Sequence, residues 1–160
     1  MQSMKIICVG KLKDAFFRDA SDEYMKRLKG YCKAEIIEIP AVNLPDNPSD
    51  AQIDAALEKE GEAIIKKIPA GATVVAMCVE GKLYSSEDMA DCLAKAAMRG
   101  NGDIVFLIGG SFGLAESVKC KAQIRMSASK MTFPHRLFRV MLLEQIYRGY
   151  KINANEKYHK

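Results

Sequence analysis

Asp103-Ile104-Val105-Phe106-Leu107-Ile108-Gly109-Gly110-Ser111-Phe112-Gly113 runs five large apolar residues straight into a loop with three glycines. Ile104 to Ile108 has no alternating polar residue, which is the pattern of a strand buried on both faces of a parallel sheet. Such sheets bind ligands outside the carboxyl ends of their strands. Gly109, Gly110 and Gly113 lack a Cβ, so their backbone can take positive φ and approach a bound molecule closely. A parallel sheet with a ligand at this glycine loop is therefore the first expectation.

Outward from this strand the chain alternates. Ile6 to Val9 is a short buried strand, Ala15 to Leu28 has apolar residues near helical spacing, and Ala34 to Ile39 is a strand stopped by Pro40. Asn43 to Pro48 holds two prolines and two asparagines and is a loop. Ser49 with Gln52 forms a capping box that opens a helix to about Lys67, ended by Pro69 and Gly71. Thr73 to Val79 is a third strand, Glu80-Gly81-Lys82 a turn, and Ser85 with Asp88 caps a helix reaching Met98. After Gly113 come a short helix within Ala115 to Ala122, a brief strand from Gln123 to Met126, a polar loop from Ser127 to Pro134, and a long helix from His135 to Tyr150. This order predicts an α/β fold, a mostly parallel sheet with helices on both faces, in one domain spanning residues 1–160.

The last helix carries Leu137, Phe138, Val140, Met141, Leu142, Leu143, Ile146, Tyr147 and Tyr150, apolar around most of its circumference. It is either threaded into the core or buried against a second copy. Dimerisation is the more economical reading, with Leu142 as an interface position.

Composition narrows the class. With 49% apolar residues in 160 there is enough for one core, and no apolar run approaches the roughly 18 residues of a membrane span. A soluble, cytoplasmic protein without a membrane association is expected. Five cysteines without a C-x-x-C pair and only two histidines predict reduced core thiols and no metal site. Residues 1–118 hold 14 Lys and Arg against 18 Asp and Glu, whereas residues 119–160 hold 10 against 2, a balance of −4 and then +8. The basic end, with Lys130, Arg136, Arg139, Arg148, Lys151, Lys157 and Lys160, points to an anionic partner, nucleic acid above all.

Three readings of the glycine loop compete. A phosphate-binding loop needs a lysine and a hydroxyl residue where Leu114 and Ala115 stand, and there is no GxGxxG. Gly109 to Gly113 does satisfy GxSxG, the nucleophile elbow of hydrolases, with Ser111 as nucleophile and either Glu116 with His135 or Glu144 with His159 completing a triad. The third reading is a tight turn with no chemistry.

The sequence also resembles a known family. Ile108-Gly109-Gly110-Ser111-x-Gly113-Leu114, then Ser127-x-Ser129-x-Met131-Thr132-Phe133-Pro134-His135, then the ending Tyr158-His159-Lys160, is similar to the RlmH family of ribosomal RNA methyltransferases. The opening Lys5-Ile6-Ile7-x-Val9-Gly10-Lys11 and the segment Gly81-Lys82 before Ser85-Ser86-Glu87 extend the likeness from Met4 to the end, leaving Met1 to Ser3 as an extension. The resemblance implies a SPOUT-type fold with a C-terminal trefoil knot and a homodimer. It implies transfer of a methyl group from S-adenosylmethionine to N3 of a pseudouridine in large-subunit ribosomal RNA, with the ribosome as partner. By position it puts the cofactor against Met77, Gly109, Ala128, Ser129, Lys130, Met131, Thr132 and Phe133. Tyr158 and His159 would reach the target base. Met77 stands where leucine is common and Cys78 where an acidic residue is common.

The implied chemistry suits the residues. The donor's methyl is already activated, so the protein has mainly to align it with the attacking nitrogen, and no metal is needed. The imide nitrogen attacks better once deprotonated, for which His159 is the candidate base. Arg136 or Arg139 would stabilise the developing oxyanion or hold a phosphate, roles the sequence does not separate. Two readings stand beside this one: a non-catalytic ribosome-binding protein using the basic third, and the serine hydrolase at Ser111.

Overall fold

In the computed structural model, which describes residues 1–160, the elements follow as β1 (Ser3–Val9), α1 (Ala15–Leu28), β2 (Lys33–Ile39), α2 (Asp50–Ile65), β3 (Thr73–Leu83), α3 (Ser86–Ala97), β4 (Ile104–Ile108), α4 (Glu116–Lys119), β5 (Ile124–Ser127) and α5 (His135–Asn153). The strands pair in parallel in the order β2-β1-β4-β3-β5, with β4 between Met4↔Ile104 on one side and Thr73↔Ile104 on the other. Central placement explains why all five residues of β4 are buried.

Side chains alternate between two cores. Ile6, Cys8, Phe106 and Ile108 point to a layer formed by α1, α3 and α5, and Ile7, Val9, Val105 and Leu107 point to one formed by α2 and α4. Helices thus cover both faces, as expected. The chain leaves β1 toward β2 and leaves β4 toward β5, in opposite directions. A crevice opens between the carboxyl ends of β1 and β4, the place where sheets of this type bind ligands.

Both capping boxes form, Ser49 with Gln52 and Ser85 with Asp88, each side chain bonding the other residue's backbone N–H. Gln2, near the N-terminus, is tied in: its amide donates to the Gly102 carbonyl at 2.9 Å and accepts from the Tyr150 hydroxyl at 2.8 Å.

Two expectations are corrected. Glu80-Gly81-Lys82 is no turn, because β3 runs through it to Leu83, with a register shift against β5 between Met77 and Lys82. Glycine at 81 hides the reason: a Cβ there would lie 2.7 Å from the Met126 backbone carbonyl carbon, so only a bare backbone passes β5 this closely. The second correction concerns α5. Leu142, Leu143 and Ile146 are buried within this chain against α1, α3 and the sheet, so Leu142 is not an interface position. Leu137, Val140 and Met141 are only partly covered and form the outward stripe.

α5 also buries a charge. Arg139 is 3% exposed, bonding Glu38 at 2.9 Å and the Gly10 carbonyl at 3.0 Å. It ties α5 to the carboxyl ends of β1 and β2. Arg139→Leu leaves Glu38 and that carbonyl without their donor, and since Glu38 keeps some access to water the expected loss is about 2 to 3 kcal/mol, below that for a fully buried pair. Urea unfolding midpoints of the two proteins, at equal m, measure it.

Candidate active site

The second half of β3, from Met77 to Glu80, and the loops after β4 and β5 enclose a cavity of about 580 Å³. The β4 loop turns on itself, Gly113 N–H donating to the Gly110 carbonyl at 3.1 Å, with Gly113 at φ +80°. Its closure depends on Gly109, where a Cβ would fall 2.3 Å from the backbone of Gly113. The β5 loop is held by its own serines: Ser127 Oγ donates to the Ser129 carbonyl at 3.0 Å, and Ser129 Oγ accepts from Met131 N–H at 2.9 Å. Between the loops lie apolar walls from Met77, Ile108, Leu114, Met126 and Phe138.

Of the eight residues the resemblance places at the cofactor, Met77, Gly109, Ala128, Ser129, Met131, Thr132 and Phe133 line this cavity and Lys130 does not. Four lining residues escape the sequence reading. Phe138 reaches in from the first turn of α5, and Met126 from the end of β5. Glu80 and Lys119 pair across the rim; their positions in an apparent turn and a four-residue helix gave no signal. The Lys119 ammonium holds the Glu80 carboxyl below its usual range, and burial raises the Cys78 thiol.

His135 lines the same cavity, and burial together with Arg136 and Arg139 lowers its basicity, keeping the neutral ring. Arg136 faces a second, adjoining cavity and bonds Asp14 at 3.3 Å. Tyr158 and His159 are not brought to either cavity. The Tyr158 hydroxyl donates to Glu144 at 3.1 Å and its ring lies edge-on to Tyr147, while His159 Nε2 meets Glu87 at 2.8 Å and Nδ1 meets Arg148 at 3.3 Å. These contacts sit 9 to 13 residues along α5 from His135, roughly 13 to 20 Å at 1.5 Å per residue.

The hydrolase triad is not assembled. Glu116 is paired with Arg125 at 2.8 Å, Glu144 with Arg148, and His159 with Glu87, so no acid orients a histidine toward Ser111. The basic third is also less free than its count implies. Lys119, Arg125, Arg136, Arg139, Arg148 and Lys151 are in ion pairs, six of the ten.

A family model described as "Predicted SPOUT methyltransferase" matches residues 2–159. The chain is 49% identical over 158 residues to the ribosomal RNA large subunit methyltransferase H of Clostridium botulinum (strain 657 / Type Ba4), covering 99% of each. It is 48% identical, with the same coverage, to the protein of that name from Clostridium beijerinckii. Among solved structures, a probable methylase family protein from Haemophilus influenzae Rd KW20 superposes with a TM-score of 0.55 at 12% identity, over 98% of this chain and 70% of that one, a likeness of fold.

Proposed function

Because this chain belongs to the SPOUT methyltransferase family, we propose that it methylates large-subunit ribosomal RNA with S-adenosylmethionine, at N3 of a pseudouridine. The observation that carries the reading is the enclosure of one cavity by the glycine loop of β4 and the serine loop of β5. The cavity fits the donor. Its volume is in the usual range for small-molecule sites, about 300 to 1,000 Å³, and its apolar walls are rimmed by backbone groups with no side chain in the way at Gly110 and Gly113. The cofactor supplies an activated methyl on a sulfonium.

The chain's own residues do the rest. Met77, Leu114 and Phe138 wall the cavity with apolar surface, and the β5 loop presents its backbone to the ligand at Ala128, Ser129 and Met131 to Phe133, pre-set by the Ser127 and Ser129 hydrogen bonds. Lys130, off the cavity wall, has no contact with the cofactor in this reading. Neutral His135 and Arg136 stand where the cavity opens toward the second one, suited to accept a hydrogen bond and to hold negative charge respectively.

His159 serves as base in this reading only away from its own chain's cavity. Its folded-back position favours delivery of Tyr158 and His159 to the cavity of a second copy, and thus the homodimer. The domain is one, residues 1–160, with the C-terminal trefoil knot that the family likeness implies, and the protein works in the cytoplasm. Light scattering is expected to give twice the 17.7 kDa chain mass, and Met141→Glu on the outward stripe of α5 to give monomer with an intact fold. A monomeric parent with full activity overturns the shared site. The function itself is tested by incubating the protein with S-adenosylmethionine and ribosomes carrying the unmethylated pseudouridine, then locating new methyl groups by mass spectrometry. Absence of transfer, with no S-adenosylhomocysteine binding by calorimetry, refutes it.

A further inference from the structure

The second cavity, of about 460 Å³, opens beside the first and shares Gly110, Ser111, Phe112 and His135 with it. It lies at the carboxyl ends of β1 and β2, on the β1 side of the switch crevice, walled by Val9, Gly10, Lys11 and Lys13 and by Pro40 to Leu44. Two observations define its chemistry. Lys11 and Lys13 on its rim are exposed, and neither belongs to any ion pair of the chain. Arg136, the third cation there, is shared with Asp14.

The lysines stand on a fixed backbone. Gly10 N–H donates to the Ile39 carbonyl at 2.8 Å, the Gly10 carbonyl accepts from Arg139, and Arg18 Nη1 donates to the Lys13 carbonyl at 2.6 Å and the Leu12 carbonyl at 3.3 Å. A loop backbone tied at three points leaves only the lysine side chains to be ordered at binding. The lining is of a different kind. Glu60 is 9% exposed, accepts only Val42 N–H, at 3.0 Å on Oε2, and has no cation beside it. Apolar residues Val9, Ile53, Ala56 and Leu57 surround it. An anion at the rim, a flat apolar body below it and an N–H donor toward Glu60 describe a nucleotide with an imide or amino edge.

We propose that this groove is the acceptor-nucleotide site: Lys11 and Lys13 hold the RNA phosphodiester while its base lies in the groove, with its other ring N–H toward Glu60 and N3 at the opening into the methyl-donor cavity. The proposal rests on the methyltransferase reading above. It assigns the RNA contact to the loop after β1, outside the basic C-terminal third.

The test compares the parent with Lys11→Glu, Lys13→Glu and the double variant, using Lys67→Glu, exposed in the turn just after α2, as the control for net charge. Three readouts are taken: S-adenosylhomocysteine affinity by calorimetry, binding to unmethylated ribosomes by sedimentation, and KM for those ribosomes at several salt concentrations. Expected are unchanged cofactor affinity, a KM at least about tenfold higher in each single variant, and a salt slope smaller by about 0.7 per lysine, the value for single-stranded contacts. The control should match the parent. Variants with parental KM and salt slope overturn the groove assignment while leaving the enzyme's function standing. A parent that neither binds S-adenosylhomocysteine nor transfers methyl overturns the function instead. A KM rise equal in Lys67→Glu reduces the effect to general charge and also overturns the site.

Discussion

Gly109→Val is expected to abolish S-adenosylhomocysteine binding, weakening it by at least about a hundredfold, or roughly 2.7 kcal/mol. The cause is internal to the loop. An added Cβ would fall 2.3 Å from the carbonyl carbon and oxygen of Gly113, both backbone atoms, so the turn closed by the Gly110 carbonyl and Gly113 N–H must open. β4 ends at Ile108, ahead of the clash, and the sheet should survive. The neighbouring glycines give a graded control. At Gly113 a Cβ meets nothing within 4 Å but must take φ +80°, costing about 1 to 2 kcal/mol. At Gly110 it approaches Val9 Cγ1 at 3.3 Å, a side chain able to yield. Affinity should therefore fall in the order Gly109→Ala, Gly113→Ala, Gly110→Ala, from greatest loss to least. Calorimetry with circular dichroism as the fold check measures it, and parental affinity in Gly109→Val would remove the β4 loop from the cofactor site.

What the sequence disclosed follows how local each cause is. β4 was readable because a strand in the middle of a parallel sheet leaves no polar position, and both helix caps were readable because a capping box is a contact between residues three apart. The end of β3 was not. Its continuation through Glu80-Gly81-Lys82 is set by the passage of β5, more than forty residues later, and turn-forming residues there also suit a strand with a register shift. α5 misled for a related reason. A helix apolar on nearly all sides can be buried by three elements of its own chain, and here α1, α3 and the sheet take most of the stripe assigned to a partner. The site shows the same division. Residues of the two loops were found by motif, whereas Glu80, Lys119 and Phe138 arrive from elsewhere in the chain and carry no spacing relative to those motifs.

The C-terminal tail is the sharpest remaining contrast. Deleting Tyr158 to Lys160 is expected to leave S-adenosylhomocysteine affinity within a few-fold, because no tail residue lines the cavity proposed for the cofactor, and to cut methyl transfer by roughly a hundredfold or more, the usual loss of a positioned acid–base group. The structure adds a condition to that expectation. His159 is held between Glu87 and Arg148, and both ring nitrogens are engaged: Arg148 supplies a donor to Nδ1, which leaves Nε2 carrying the proton given to Glu87. In that state the imidazole has no lone pair to offer a substrate. Acting as a base therefore requires release from at least Arg148, and the tail must leave the α5 surface to do so. The Glu87 contact is exposed on its carboxylate side and weakly holding, so it adds little to the cost of that release. Glu87→Gln, which keeps the capping box of Ser85 and Asp88 intact, should then leave transfer unchanged or raise it, whereas His159→Ala should reproduce much of the deletion's loss. Mixing His159→Ala chains with chains carrying Gly109→Val separates the two locations of the tail. If it serves a second copy's cavity, neither variant alone transfers methyl, and mixed dimers place one intact cavity beside one intact tail and regain up to half the parental activity of such a dimer. If the tail serves its own chain, the mixture stays inactive, since each chain lacks one of the two parts. A tail deletion that methylates RNA at the parental rate would withdraw Tyr158 and His159 from catalysis altogether.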